Sequence, residues 1–375
     1  MNIPVSEPVL GDEEERYVLD ALKRGEISGT FGKYISLFEN EFSAYCGVKH
    51  GIATTSGTTA LHLALASLGI KRGDEIIVSA FTNIATAYSV VYCGAKPVVV
   101  DSEPLTWNID PDKIEDKISK KTRAIMPVHI YGHPVNMGPI SLLAKSYKLF
   151  IVEDCAEAHG AEYMGAKVGS LGNIGCFSFY ANKMIVTGEG GMIVTNDDEI
   201  AEHARLLRNL AFSTSRKFIH SHIGFNYRMS NIQAAIGLAQ LKKIEAMIEK
   251  KRQIAHRYSS LLEEIDGLTL PVEMDYAKNV YWMYGLLVEE KKFGMTRDEL
   301  MDELSKKGIE TRCFFVPMNK QPVFLKMELF KNESCPVAED LARRGLYLPS
   351  SPNLTEDQIV YIFDNIKQLH FKSRK

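Results

Sequence analysis

The sequence predicts an α/β protein in which helices cover both faces of a mostly parallel β-sheet, followed by a smaller α+β C-terminal domain. Helical and strand-like segments alternate from about residue 57 to residue 210. The strand-like segments are short, continuous apolar runs rich in β-branched residues, which is typical of strands buried on both faces. The 375 residues fit two lobes better than one compact unit. We therefore predict a large domain over 1–245 and a small one over 246–375.

The alternating segments fix the expected order of elements in the large domain. Each amphipathic stretch leads into a short apolar strand, and ligands of such sheets bind at the carboxyl ends of the strands. In chain order the segments are helix ALHLALASLGI, strand EIIVSA, helix TAYSVVYCGA, strand PVVVD, strand AIMPVHI, helix MGPISLLAKSYK and strand LFIVEDC.

The region after residue 230 is predicted to link the two domains. The segment NIQAAIGLAQLKKIEAMIEKKRQIAHRYSSLLEEI is one long helix or two abutting helices. The strand VYWMYGLLVEE follows, and then helices with marked starts. Thr296 with Glu299, and Thr355 with Gln358, have the spacing of capping boxes.

Composition excludes several classes of function. Apolar residues make up 45% of the chain and charged residues 24%, with a net charge of −3. This balance, without a long basic run, does not predict a nucleic-acid surface. The six cysteines lack metal-ligand spacing, so we expect reduced, buried thiols and no metal site. The N-terminal segment does not resemble a signal peptide, and no apolar run has the length of a membrane span. We expect a cytoplasmic protein that does not contact a membrane.

The segment TTSGTTALHLAL contains a candidate anion site. Ser56, Gly57, Thr58 and Thr59 lie directly before an apolar helix. Gly57 would let the backbone approach a ligand closely, and the first amides of the helix favour a phosphate group. The alternative is that a hydroxyl side chain only caps the helix.

Two adjacent carboxylates follow the strand LFIV. This strand should bring Glu153 and Asp154 to the carboxyl edge of the sheet, although alternation requires only one of them to enter a site there. A carboxylate at this edge could pair with a cationic ring nitrogen. Helix capping by Asp154, or a buried ion pair, remains an equal alternative.

A lysine stands just after the next strand, in CFSFYANKMIVTGEGG. Lys183 there could be removed from water, which would lower its pKa and free its amine for imine formation. A single lysine after a strand usually lies on the solvated surface. Here it accompanies a candidate anion site and a strand-end carboxylate in one lobe, and that combination favours a functional lysine.

Six segments together resemble the DegT/DnrJ/EryC1/StrS family of sugar aminotransferases. The resemblance extends from IPVSEPVLGDEEE near the N-terminus to AEDLARRGLYLPSSPNLTEDQI near the C-terminus. It implies the fold type I architecture of transferases that use pyridoxal 5′-phosphate (PLP), as in aspartate aminotransferase. The segments are TTSGTTALHLAL, VHIYGHPVNM, EDCAEAHG, SFYANK, GEGGMIVT and GFNYRMSNIQAAIGLAQL.

The resemblance implies a role for individual residues in binding PLP. Lys183 would hold the cofactor as a Schiff base, and Asp154 would pair with its ring nitrogen. Ser178 would bind the phosphate together with the backbone around Gly57 and Thr58.

Other implied roles concern the subunit partner and the cofactor ring. Asn226 in GFNYRMS would reach the phosphate bound by the neighbouring subunit, which implies a homodimer with shared active sites. Glu157 stands near the ring where the family often has Gln.

The chain departs from the family pattern at two positions. Asn83 stands where relatives place an aromatic residue that stacks on the cofactor ring, so either its amide or another side chain packs there. Asn319 stands where many relatives carry His near the sugar site. His133 in IYGHP could be a substrate residue or a structural one. Trp107 and Trp282 are expected in the core rather than at a ligand.

Within the family, four segments are most similar to the 4-aminotransferases that make GDP-perosamine. This implies transfer of an amino group from L-glutamate, which leaves as 2-oxoglutarate, to GDP-4-keto-6-deoxy-D-mannose, for O-antigen or other lipopolysaccharide synthesis. The segments are AIMPVHIYGHP, EDCAEAHG, TGEGGM and GIETRCFFVPM.

Other functions stay open beside this one. The substrate could be a UDP- or dTDP-linked keto sugar aminated at C4 or C3, since the same cofactor residues would serve. From a different class, the chain could be a regulatory protein that binds PLP without catalysis. A family dehydratase is disfavoured because Lys183 is present, and a dinucleotide-dependent dehydrogenase because no GxGxxG follows a first strand.

Overall fold

The structure is a computed structural model that describes residues 2–212 and 218–373. Its strands belong to three sheets. In chain order they are β1 (His50–Thr54), β2 (Glu75–Ser79), β3 (Lys96–Val100), β4 (Thr122–Met126), β5 (Phe150–Asp154), β6 (Glu162–Tyr163), β7 (Ala166–Lys167), β8 (Ile174–Ser178), β9 (Gly191–Thr195), β10 (Leu268–Thr269), β11 (Ala277–Lys278), β12 (Tyr284–Val288), β13 (Arg312–Cys313) and β14 (Gly345–Leu348).

The helices surround these sheets and match most of the predicted helical segments. In chain order they are α1 (Asp12–Lys23), α2 (Lys33–Cys46), α3 (Gly57–Ser67), α4 (Ala85–Tyr92), α5 (Met137–Tyr147), α6 (Asp198–Arg208), α7 (Asn231–Leu241), α8 (Ile244–Leu262), α9 (Glu290–Phe293), α10 (Arg297–Lys306), α11 (Pro322–Lys326), α12 (Pro336–Arg344) and α13 (Glu356–Ser373).

The large sheet has the strand order β1-β9-β8-β5-β4-β2-β3. Neighbouring strands from β8 to β3 are parallel, whereas β9 is antiparallel to both β1 and β8. The predicted mostly parallel sheet is therefore confirmed. Because β2, β4, β5 and β8 run in the same direction, their carboxyl ends meet along one edge, where the predicted site residues follow them.

Helices cover both faces of this sheet, as the continuous apolar strands predict. In β2, Ile76 and Val78 belong to the apolar core that contains α3 and α4. Ile77, between them, belongs to the core on the opposite face, with Met137 and Ile140 of α5. The alternation of side chains along a strand divides even a fully apolar run between two cores.

A four-stranded antiparallel sheet, β10-β12-β14-β13, forms the centre of the C-terminal part. Helix α8 links it to the large sheet, because Ile248 packs in a core of the large domain and Tyr258 in the core around the small sheet. The long helical segment is thus two abutting helices, α7 and α8. The predicted boundary between residues 245 and 246 falls just inside α8 and stays a prediction.

The capping signals mark real helix starts. Thr296 Oγ1 accepts a hydrogen bond from the amide of Glu299, whose carboxylate accepts from the amide of Thr296 at 2.7 Å. Thr355 and Gln358 exchange the same pair of bonds, at 3.0 and 3.3 Å. Among the helices described, none combines the length and the apolar character that a bilayer crossing requires.

Lys251 of α8 is a buried cation for which the described residues provide no carboxylate partner. Its ammonium donates to the carbonyl oxygen of Ser350 at 2.7 Å, and the residue is 4% exposed. Burial lowers the pKa of Lys251 from 10.5 to about 7. Between these two pH values the unfolded chain holds a proton on this residue that the folded chain lacks, so the free energy of unfolding should rise with pH.

We expect Lys251→Met to remove this pH dependence. The slope contributed by one such group is about 1.4 kcal/mol per pH unit. Urea unfolding of both proteins at several pH values between neutral and alkaline measures it. Lys250→Met, at the next and exposed position of α8, should leave the slope of the unsubstituted chain. Equal slopes for the three proteins would contradict the assignment.

Candidate active site

A cavity of about 340 Å³ opens at the carboxyl edge of the large sheet. Elements of both sheets contribute to its walls. Seven of the predicted site residues line it: Gly57, Thr58, Asn83, Asp154, Glu157, Ser178 and Lys183. Residues that are up to 126 positions apart in the chain therefore converge on one space.

The wall at the start of α3 is built from small residues and backbone amides. Ser56 caps the helix, since its hydroxyl accepts from the amide of Thr59 at 3.2 Å. The amides of Gly57 and Thr58 have no acceptor among the described residues, so they are available to an anion in the cavity. Capping by Ser56 therefore leaves these two amides free for an anion. A Cβ on Gly57 would lie 2.6 Å from the Cβ of Ser178, which is too close for any side chain.

Strand alternation separates the two adjacent carboxylates, as predicted. Asp154 lines the cavity and is 4% exposed, whereas Glu153 faces away from it. Asp154 accepts hydrogen bonds from the Thr86 hydroxyl at 2.8 Å and from the amide of Ala156 at 3.2 Å. Burial raises the pKa of Asp154, and these two hydrogen bonds and the charge of Lys183 oppose the rise.

Glu153 has a structural role on the other face. Its carboxylate accepts from the amides of Gly169, Leu171 and Gly172 at 2.7–2.8 Å, and it lies 3.1 Å from the Nε2 of His129. His129, Glu153 and Cys155 lie close enough together to hold a metal ion. The hydrogen bonds already use both carboxylate oxygens, and they account for this cluster without an ion.

Lys183 follows β8 in a turn and projects along the cavity wall. Its Nζ lies 3.6 Å from the centroid of the Trp282 indole ring, and the Trp282 Nε1 donates to the carbonyl oxygen of Asn182 at 2.7 Å. The surrounding protein excludes water and lowers the pKa of Lys183, which the carboxylates of Glu157 and Asp154 oppose. A lysine in this setting exchanges its proton more readily than one at the surface.

Trp282 lies in the core, as predicted, and its buried ring also lines the cavity. Trp107 lies in the core and not at the cavity, as predicted.

Glu157 lies across from Lys183 and is 2% exposed. One of its carboxylate oxygens accepts from the amide of Tyr131 at 2.8 Å. Burial raises the pKa of Glu157, while the charge of Lys183 and this amide lower it. The charges of Asp154 and Glu157 thus oppose the lowering of the Lys183 pKa, and the charge of Lys183 opposes the rise in the pKa of both carboxyl groups.

Asn83 lines the cavity. Its Oδ1 accepts a hydrogen bond at 3.0 Å from the amide of Ala85, the first residue of α4. Aromatic walls come from elsewhere: Trp282, Tyr180 and the small-domain residues Phe315 and Tyr347. Aromatic side chains other than Asn83 are therefore available to pack on the cofactor ring, and which side chain stacks there stays a prediction.

Three predicted residues lie outside the cavity. His133 is buried with both ring nitrogens in hydrogen bonds to backbone, to Pro134 O at 2.7 Å and to the amide of Met274 at 3.2 Å, which favours the structural alternative. Asn319 is 4% exposed, and its amide nitrogen donates to Glu339 at 2.8 Å, so the substrate role is not supported. Asn226 is exposed and forms an isolated bridge with Asn209.

Sequence reasoning missed several lining residues. Arg312, Phe315 and Tyr347 reach the cavity from the small sheet and its flanking segments. The segment GIETRCFFVPM carried Arg312 and Phe315, but it served only as a mark of resemblance. Its strong aromatic content beside an arginine was the available signal.

Comparison with known proteins connects the chain with one enzyme family. The DegT/DnrJ/EryC1/StrS aminotransferase family model matches residues 8–367. The GDP-perosamine synthase of Caulobacter vibrioides is 44% identical over 97% of the chain and 98% of that protein. The enzyme of the same name from Vibrio cholerae is 39% identical over 97% and 98%. The crystal structure of S. venezuelae DesV superimposes with a TM-score of 0.89, at 35% identity over 97% and 99%.

The fold and the cavity define a PLP-dependent transferase of fold type I. With the matches above, the chain belongs to the DegT/DnrJ/EryC1/StrS aminotransferase family. The residues present fit PLP. Free amides and Ser178 surround the space kept open by Gly57, and a carboxylate and an amine lie further along the same cavity.

Gly57→Ala should weaken PLP binding by about tenfold or more, because its Cβ must push α3 away from Ser178 and displace the free amides. Fluorescence titration of the cofactor-free protein with PLP measures this. Gly11→Ala is the matched control, since that glycine also lies at a helix start but its Cβ would make only an ordinary 3.8 Å contact. Equal affinities of the two variants would show that the phosphate lies elsewhere.

Proposed function

We propose that this enzyme transfers the amino group of L-glutamate to the C4 ketone of GDP-4-keto-6-deoxy-D-mannose and releases GDP-perosamine and 2-oxoglutarate. The observation that carries the proposal is the convergence of Lys183, Asp154 and Glu157 on one cavity that fits PLP. The choice of sugar rests on the similarity to two GDP-perosamine synthases over nearly the full length of both.

The residues of the cavity divide the chemistry among them. PLP, when bound, supplies an electron sink for the carbanion that forms at the donor α-carbon. Lys183 holds the cofactor through its amine and then takes and returns the proton at the reacting carbon. Asp154 accepts a hydrogen bond from the ring nitrogen and keeps it protonated. Ser178, with the amides of Gly57 and Thr58, binds the phosphate.

Arg312 is the residue that we expect to bind the anionic groups of the substrates. Apart from Lys183 it is the one positively charged side chain among the described residues that line the cavity. It is half exposed and pairs with Glu310 at 3.1 Å, so its guanidinium is within reach of a ligand that enters from solvent. Glutamate carries carboxylates and the sugar nucleotide a diphosphate, and guanidinium binds both groups well.

The proposal includes a homodimer with shared sites. Asn226 is exposed and does not line the cavity of its own chain, as expected if it reaches the cofactor phosphate of a second subunit. Since nucleotide sugars are made in the cytoplasm, we place the enzyme there, with its product directed to O-antigen or a similar surface polysaccharide.

The test mixes the purified protein and PLP with L-glutamate and GDP-4-keto-6-deoxy-D-mannose and follows the nucleotide sugar by mass spectrometry. Formation of GDP-perosamine is the expected result, with Lys183→Ala as the inactive control. Release of 2-oxoglutarate without an aminated GDP sugar would reject the substrate and keep the reaction. UDP- and dTDP-linked 4-keto and 3-keto sugars then test the alternatives in the same assay.

A further inference from the structure

Two buried threonines, Thr82 and Thr86, form a hydrogen-bond chain that ends at the carboxylate of Asp154. Thr86, in the first turn of α4, donates its hydroxyl proton to the Asp154 Oδ2 at 2.8 Å. The Oγ1 of Thr82 lies 3.1 Å from the Oγ1 of Thr86. Thr86 is 0% and Thr82 1% exposed, so water does not compete for these bonds.

The direction of this hydrogen-bond chain follows from counting protons. A threonine hydroxyl has one proton to donate, and that of Thr86 is used on Asp154. The contact between the threonines therefore uses the proton of Thr82, which points towards Thr86. Both hydroxyl dipoles then point towards the carboxylate, and each bond strengthens the other.

This arrangement favours one state of Asp154. Burial alone raises the pKa of this carboxyl group, and the Thr86 hydroxyl is the first of the contacts that lower it, ahead of the Ala156 amide, Lys183 and His129. Few other donors are available, because the Ala156 amide is the second and longer of the two hydrogen bonds that the carboxylate accepts, at 3.2 Å. A carboxylate that must stay ionised in a buried site depends on such donors.

We propose that Thr86, oriented by Thr82, is a positioning residue that holds Asp154 as a carboxylate facing the cofactor, so that the ring nitrogen rather than Asp154 carries the shared proton. The inference rests on the proposed function, since it requires PLP with its ring nitrogen at Asp154. According to this inference, Thr86 of α4 affects how well the cofactor accepts electrons, although Thr86 does not itself line the cavity.

Thr86→Val tests this directly, because valine keeps the shape of the side chain and lacks the hydroxyl. Thr86→Ser is the matched control, since it keeps the hydroxyl and loses only the methyl group. The readout is the nitrogen NMR chemical shift of isotopically labelled PLP bound to each protein, which distinguishes a protonated from a neutral ring. We expect a protonated ring in the unsubstituted chain and in Thr86→Ser, and a shift towards the neutral form in Thr86→Val.

Turnover should follow the same order. The value of kcat should fall about tenfold to a hundredfold in Thr86→Val, while the KM for L-glutamate and the affinity for PLP change little. Thr82→Val removes only the orienting hydroxyl, so we expect a smaller shift of the same sign. This variant also keeps the test decisive if Thr86→Val does not fold.

The possible failures can be told apart. A protonated ring in every variant would overturn the role of Thr86 and leave the proposed function intact. A neutral ring in the unsubstituted chain would overturn the role of Asp154 itself. Near-normal turnover in a Thr86→Val protein whose bound PLP ring is neutral would also contradict the inference.

Discussion

Replacing Lys183 with alanine should abolish transamination and the covalent attachment of PLP. The loss in kcat should be about a thousandfold or more, because proton transfer by this amine alone accounts for a factor of that order. Lys183 lies against the Trp282 ring with two carboxylates nearby, and the described residues offer no second amine at this cavity. Mass spectrometry after borohydride reduction should find a cofactor adduct on Lys183 in the unsubstituted chain and none in the variant.

Two further variants make the result specific. Lys183→Arg keeps the positive charge but cannot form the covalent link, so it should also be inactive. Lys120→Ala removes an exposed lysine and should leave both turnover and the adduct unchanged. A cofactor adduct at another lysine, or turnover above the solution background in Lys183→Ala, would refute the assignment.

The site residues that the sequence predicted have similar positions in the fold. Gly57, Asp154, Ser178 and Lys183 all lie at or just after the carboxyl end of a strand of the large sheet, or at the start of the helix that follows. Strand periodicity finds such positions, and the geometry of parallel sheets then places them along one edge. Alternation even separated Asp154 from Glu153 before their surroundings were known.

The residues that sequence reasoning missed, or whose role it left open, depend on contacts between distant segments. Trp282 follows Lys183 by 99 positions and reaches it only because the small domain packs against the large one. Tyr347 and Arg312 come from neighbouring strands of the small sheet. His133 shows the converse: its motif left a substrate role and a structural role equally open, and the hydrogen bond from the amide of Met274, in a distant loop, to its Nε2 favours the structural one. Local sequence patterns do not indicate which distant loop packs against a given residue.

The second large effect is expected for Asp154→Asn, which keeps the shape of the side chain and removes its charge. The value of kcat should fall about a hundredfold to a thousandfold, because an amide cannot balance a protonated ring nitrogen. The site is shielded from water, so solvent cannot replace the lost charge. Steady-state kinetics at saturating L-glutamate and sugar nucleotide, with the nitrogen chemical shift of bound PLP, measures both consequences.

Glu153→Gln is the matched comparison, since it removes one carboxylate charge from the adjacent residue of the same strand. The Glu153 carboxylate accepts hydrogen bonds from three backbone amides on the face away from the cavity. Removing its charge should therefore lower the free energy of unfolding by about 1–3 kcal/mol. Folded Glu153→Gln protein should still bind PLP and turn over. Asp154→Asn should show the opposite, with near-normal stability and little turnover. If both variants lost activity in parallel with stability, the charge of Asp154 would have no specific part in the reaction.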